Sequence, residues 1–180
     1  MTPLASIPVT REVTPTAAPV TLRPARECDV DGIVRLVNGF AAQRVMLFRT
    51  PDSVLASLDD FVVAVDGHGT VIACGALKHY SPTLAEVASV AVSGVSHGRG
   101  LGRRIVAALE RLARLRGVEE LFALTLTPGF FGALGYSVTD RARYPEKTRR
   151  DCLGCARRHA CDELCMSRRL DALERLPAAA

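Results

Sequence analysis

Apolar residues recur at helical spacing in two long stretches. Ile33, Val34, Val37 and Phe40 follow one another at three- and four-residue steps behind Asp29, an N-cap residue type, and predict a helix from 29 to about 43. Ile105, Val106, Leu109, Leu112, Ala113 and Leu115 predict a longer helix over 103–116, with Gly117 where a C-cap belongs. Shorter helices open at Pro51-Asp52, reaching Leu58, and at Pro128, stopped by Gly135. Between them lie β-type runs: 20–23, ended by Pro24; 61–65; 71–78; 84–92, with Glu86 inside it; 121–126; and a last strand starting at 136–138. Asp66-Gly67-His68-Gly69 is a turn that joins 61–65 to 71–78 as a hairpin, and 94–102 is a glycine-rich loop.

The order of strand, helices, hairpin, strand, glycine loop, long helix, strand, helix and strand predicts a mixed α/β (α+β) domain around one central sheet. Its 180 residues, 48% hydrophobic, suffice for one domain with one core. The division read from the chain is a flexible leader over 1–18, a catalytic-sized domain over 19–145, and a Cys- and Arg-rich tail over 146–180. No apolar run approaches the roughly 20 residues that cross a bilayer, and the first residues lack the basic cluster and apolar core of a secretory signal. A cytoplasmic protein with no membrane partner is the expectation. The net charge of +4 suits an anionic ligand. With 5% aromatic residues and no Trp, base-stacking platforms are lacking, which argues against nucleic acid as partner. Lysine occurs only at Lys78 and Lys147; the other basic side chains are Arg.

The loop Ser96-His97-Gly98-Arg99-Gly100-Leu101-Gly102 lies between a strand and the long helix. Such a junction leaves the first helical N–H groups unpaired, and they bind phosphate oxygens together with the helix dipole. Glycines let the backbone approach the ligand, and Arg99, Arg103 and Arg104 add positive charge. A Walker loop would need a Gly-Lys-Ser/Thr ending, and a Rossmann site would place the loop after the first strand. A pyrophosphate cradle for coenzyme A and a plain glycine turn both remain open on the loop alone.

Read with its flanks, the loop decides further. Glu86-Val87-Ala88-Ser89-Val90-Ala91-Val92, then the loop and helix, then Leu121-Phe122-Ala123-Leu124-Thr125, then Phe130-Phe131 and Leu134-Gly135-Tyr136, closely resemble the GNAT acetyltransferase superfamily. Its loop signature, Gln/Arg-x-x-Gly-x-Gly/Ala, is met by Gly100 and Gly102, with His97 in place of Gln or Arg. Within the superfamily the chain is most similar to short amino-acid N-acetyltransferases related to N-acetylglutamate synthase, through Phe61-Val62-Val63-Ala64, Ala73-Cys74-Gly75-Ala76-Leu77 and the Tyr144-Pro145-Glu146-Lys147 tail. The similarity covers residues 20 to about 168.

That resemblance implies a mostly antiparallel central sheet with one splayed strand pair. It implies that acetyl-CoA is cosubstrate, its pantetheine arm held by Val90, Ala91 and Val92 and its phosphates by His97, Gly98, Arg99, Gly100, Leu101, Gly102 and Arg103. The acceptor is a small amine, by this likeness an amino acid such as glutamate, as in arginine biosynthesis, or glutamine; another small amine, a protein N-terminus and acetyl-CoA binding without turnover are the alternatives. Glu86 stands where many members carry the general base, and burial of a carboxylate in an apolar strand raises its basicity. Where a Tyr often protonates the leaving thiolate this chain has Phe131, which leaves Tyr136, Tyr80 or water for that role. An amino-acid acceptor needs cations for its carboxylate, for which Arg44, Arg49 and Lys78 are the candidates. Members of the superfamily often form homodimers.

Cys152, Cys155, Cys161 and Cys165 crowd the tail. Cys-x2-Cys is a zinc half-site, and the second pair would share one face of a helical turn. Structural zinc, an iron–sulfur cluster and four reduced thiols are the open readings.

Overall fold

The computed structural model describes residues 19–155 and 158–171; the leader over 1–18 lies outside the described residues. Seven strands form one sheet in the order β1-β2-β3-β4-β5-β7-β6. They are β1 (Thr21–Pro24), β2 (Phe61–Val65), β3 (Val71–His79), β4 (Leu84–Val92), β5 (Glu120–Thr125), β6 (Ser137–Val138) and β7 (Leu164–Arg169). All neighbours are antiparallel except β4 and β5, which are parallel and joined by the helix α3 (Leu101–Leu115). The other helices are α1 (Val30–Ala42), α2 (Pro51–Leu55), α4 (Pro128–Gly132) and α5 (Pro145–Lys147), the last running into one wider helical turn, Thr148–Cys152. Among the described residues no helix is long and apolar enough to cross a membrane.

The two long apolar stripes cover opposite faces of the sheet. Leu101, Ile105, Val106, Leu109 and Ala113 of α3 pack against Val62, Leu77, Ala85, Val87, Leu121 and Ala123. Ile33 and Val37 of α1, with Val54 of α2, pack against Phe61, Val63, Cys74, Ala76 and Ala91. Because β2 and β3 are covered on both sides, all of β2 is buried, and its sequence FVVAV shows no alternation. Asp29 takes its expected place ahead of α1, yet its carboxylate accepts from the Arg26 N–H and the Arg23 guanidinium instead of capping α1.

Two features differ from the sequence reading. The stretch Leu164–Arg169 is a strand of the same sheet, inserted between β5 and β6 and paired with all six residues of β5 from Glu120↔Arg169 to Thr125↔Leu164. Its polar composition, LCMSRR, hid it; only Cys165 and Met166 are fully buried. The second difference is a bulge in β4. Cys74 pairs with Ala91 and Ala76 with Ala88, so Ser89 and Val90 together oppose Gly75. Ser89 has φ 54°, a left-handed backbone that side chains rarely adopt.

Gly75 is where α3 comes nearest to the bulge. A Cβ there would lie 2.5 Å from Ile105 Cγ2 and 3.0 Å from Leu109 Cδ1. Gly75→Ala is therefore expected to cost about 1–3 kcal/mol by overpacking, with Tm falling by about 2–4 °C per kcal/mol. Gly39→Ala, on an exposed helical position with nothing within 4 Å, is expected to be neutral or stabilising. Thermal unfolding of the two variants checks the contrast.

Candidate active site

The site is built where two neighbouring strands part. β4 and β5 pair at only three positions, Leu84↔Glu120, Ala85↔Leu121 and Glu86↔Phe122. Beyond Glu86 the bulge turns β4 away, while β5 continues along β7 to Thr125. The stretch carrying Val90, Ala91 and Val92 thus borders an opening in the sheet on its β5 side. An extended ligand with amides of its own can enter such an opening and take up the ladder.

At the wide end of the opening the chain passes through the glycine loop into α3. Gly98 has φ 76°, and Gly100, the N-cap, has φ 70° and no side chain to cap the helix. The first backbone bond of α3 is from Arg104 N–H to Gly100 C=O, so the amides of Leu101, Gly102 and Arg103 precede it. No acidic residue lies in that first turn, and Arg99, Arg103 and Arg104 are exposed around it. His97, the departure from the family pattern, sends Nε2 to the Val92 carbonyl at 2.9 Å. A carbonyl only accepts, so this nitrogen carries the proton and ties the loop to the end of β4. Leu101 is buried beneath α3 and holds its first turn through the core.

At the narrow end stands Glu86. Its neighbours Ala85 and Val87 face α3, so Glu86 faces the other side of the sheet, where it is 4% exposed. It is not isolated among apolar groups as the strand pattern suggests. Lys147 Nζ lies 2.8 Å from Oε1 and 2.9 Å from Oε2, and the Tyr80 hydroxyl donates to Oε2 at 2.9 Å. Asp151 completes the group: Oδ2 is 2.9 Å from Lys147 Nζ and 2.8 Å from the Tyr80 hydroxyl, and Oδ1 accepts from Lys78. Phe122 packs beneath, stacked on Tyr144 at 4.2 Å and tilted on Tyr80 at 5.3 Å. Burial pushes Lys147 toward neutrality, but the Glu86 and Asp151 carboxylates outweigh it, and its pKa is raised. Burial pushes the Asp151 carboxyl up, but hydrogen bonds from Lys78, Lys147 and Tyr80 win, and it is held well below the usual range. Burial, then the neighbouring carboxylates, keep the Tyr80 phenol protonated far above its ordinary pKa.

Of the acceptor cations, Arg49 is placed best. Asn38 clamps its backbone, donating to the Arg49 carbonyl and accepting from its N–H, both at 2.9 Å. Its guanidinium reaches the Ser89 hydroxyl at 3.3 Å, over the bulge. Arg44 is exposed at the end of α1 with φ 61°. Lys78, directly across from Glu86 in the β3–β4 register, is paired with Asp151.

Tyr136 is also corrected. It is 3% exposed in the core under α3, edge-on to Phe131 at 5.3 Å, on the face opposite Glu86. Its hydroxyl has no hydrogen-bond partner among the described residues, and burial raises its pKa. The cysteine reading fares likewise. Among the described residues no three metal-ligating side chains gather, so zinc has no support. Cys165 is buried in β7 beside Phe122 and Tyr144, and Cys161 precedes the strand, so the pair does not share a helical face. Sequence reasoning missed Lys147, Asp151 and the pairing role of Tyr80. Its one available signal was that lysine survives at two positions in a chain that otherwise uses Arg.

The comparisons with known proteins agree with this geometry. The model of the acetyltransferase (GNAT) family matches residues 38–136, and the chain belongs to that family. It is an N-acetyltransferase in type, related to amino-acid acetyltransferases. An uncharacterized N-acetyltransferase of Chlorobaculum tepidum is 39% identical over 154 residues, 86% of this chain and 99% of that one. The amino-acid acetyltransferase of Mycobacterium tuberculosis is 33% identical over 118 residues, 64% of this chain and 67% of that one. Among solved structures, N-acetylglutamate synthase of Neisseria gonorrhoeae, complexed with coenzyme A and N-acetyl-glutamate, superposes with a TM-score of 0.76 at 27% identity; the match spans 87% of this chain and 36% of that one.

Two outcomes are expected. Gly100→Ala adds a side chain to a left-handed N-cap, at roughly 1–2 kcal/mol of strain, and projects it into the space in front of the amides. Calorimetric titration should show coenzyme A affinity reduced about tenfold. For pH, Asp151 has a depressed pKa, so its contribution to stability is present above the unfolded value of about 3.9 and is lost as pH falls through the folded one. Lys147 has a raised pKa, so its contribution is present below about 10.4 and is lost as pH rises beyond it. Denaturant midpoints of Asp151→Asn should lie below wild type at pH 7 and converge with it toward pH 2.

Proposed function

We propose that this chain transfers the acetyl group of acetyl-CoA to the α-amine of an amino acid, glutamate or glutamine by preference. One observation supports it most: the unpaired edge of β4 runs from the buried Glu86 toward the bare amide end of α3, with the Arg49 guanidinium held at Ser89 between them. The amino-acid acceptor rests also on relatives named amino-acid acetyltransferase and on the N-acetylglutamate synthase structure, of which this chain spans 36%.

In this reading the phosphates lie on the amides of residues 98–103, and the pantetheine arm runs along Val90, Ala91 and Val92. Holding thioester and amine in one cleft supplies proximity. Glu86, buried at the apex, takes the ammonium proton of the acceptor through water, leaving a neutral amine. The amine attacks the thioester carbonyl; the C–N bond forms, the C–S bond breaks, and the thiolate leaves with a proton returned from solvent. Arg49 swings from Ser89 to pair with the acceptor carboxylate. Phe131 occupies the place of the family's tyrosine acid, and a thiolate leaves without one.

Thiol release with acetyl-CoA and a panel of free amino acids tests the reading. Turnover is expected with glutamate or glutamine. Glu86→Gln should lower kcat by about 10²–10⁴-fold with acetyl-CoA binding retained. Arg49→Ala should raise the acceptor KM about tenfold or more. No turnover with any amino acid, or Glu86→Gln at the wild-type rate, contradicts it.

A further inference from the structure

The segment 145–152 belongs neither to the phosphate cradle nor to the acceptor side, yet it reaches the reacting end of the cleft. It brings one cation and one anion to Glu86. Lys147, 9% exposed, contacts both Glu86 oxygens and Asp151; Asp151 in turn holds Lys78 and Tyr80. Two ammoniums and two carboxylates thus close into a neutral set inside the protein, the arrangement in which buried charge is tolerated. Both lysines of the chain are in it. An ammonium is a compact point charge with three donors, enough to serve two carboxylates at once.

We propose that Lys147 is a positioning residue for the reaction: its ammonium, on both oxygens, fixes the Glu86 carboxylate in one orientation, with Asp151 sharing that ammonium. The inference rests on Glu86 being the base. The groups that face the pair are Lys78 from β3 and Tyr80 just beyond its end, Asp151 and Cys152 from the segment itself, Cys165 from β7, and Arg150, whose guanidinium lies 4.8 Å from the Tyr80 ring centre. Among the described residues, Lys147 and Tyr80 are the hydrogen-bond partners of Glu86. An adjacent cation favours a carboxylate's charged form, and a second anion on that cation weakens the effect.

The test is the pH dependence of kcat/KM for the intact chain. With Lys147→Met the acid limb should move to higher pH by about 1–3 pH units, and Lys147→Arg should return most of the way. With Asp151→Asn, Lys147 is left to Glu86 alone, and the limb should move to lower pH. Calorimetric acetyl-CoA affinity near wild type shows that each variant is folded. If Lys147→Met does not fold, Lys147→Arg and Asp151→Asn carry the comparison, and a limb unmoved in Asp151→Asn overturns the proposal. So does a limb unmoved in Lys147→Met, or both variants moving the same way, while Glu86→Gln is inactive. Glu86→Gln at full rate removes the base itself, a different result that overturns the reading beneath.

Discussion

β4 stops pairing with β5 at Glu86↔Phe122, and the sheet gives up several ladder hydrogen bonds there. Each buried bond left unmade costs about 1–3 kcal/mol unless another partner or water takes its place. The rest of the fold is arranged around keeping this gap open. The bulge at Ser89 opposite Gly75 bends β4 outward, and Ile105 and Leu109 of α3 press on the glycine from behind. β5 does not follow, because β7 holds its other edge over its whole length. The gap is therefore a property of strand pairing, with the loop glycines at its wide end.

The same pairing explains the second half of the site. β7 draws the chain after residue 145 back across the sheet, and on the way residues 145–152 pass over Glu86. A segment whose composition reads as a loose tail thereby supplies the counter-charges of the most buried carboxylate in the cleft. Phe122 of β5 stacks on Tyr144 and tilts against Tyr80, so the charged cluster has aromatic neighbours.

Much of this was legible in the residues. Strands 61–65 and 84–92 and the stripe of α3 announce themselves because their burial is local: one face or both are covered by elements near in sequence. The glycine loop was legible for the same reason, since the bare amides at the start of α3 come from consecutive residues. β7 was not, because a strand with only two adjacent buried residues and three polar ones carries no alternation strong enough to read. Nor were Lys147 and Asp151, whose partners lie 61 and 73 residues away. Four cysteines at close spacing suggested a metal, but among the described residues no three metal-ligating side chains gather, and Cys165 is taken up in β7. Tyr136, which closes the last motif, packs edge-on to Phe131 in the core.

The account's central claim is that the parted strands and the α3 amides form one continuous coenzyme site. Amide chemical shifts followed by NMR during a coenzyme A titration test it most directly. The account predicts saturable shifts in residues 90–92, 98–103 and 123–125, on both walls of the gap, with the amides of β1 and β2 unmoved. Saturable binding that leaves either wall of the gap unperturbed, or the absence of any shift at millimolar coenzyme, would contradict it.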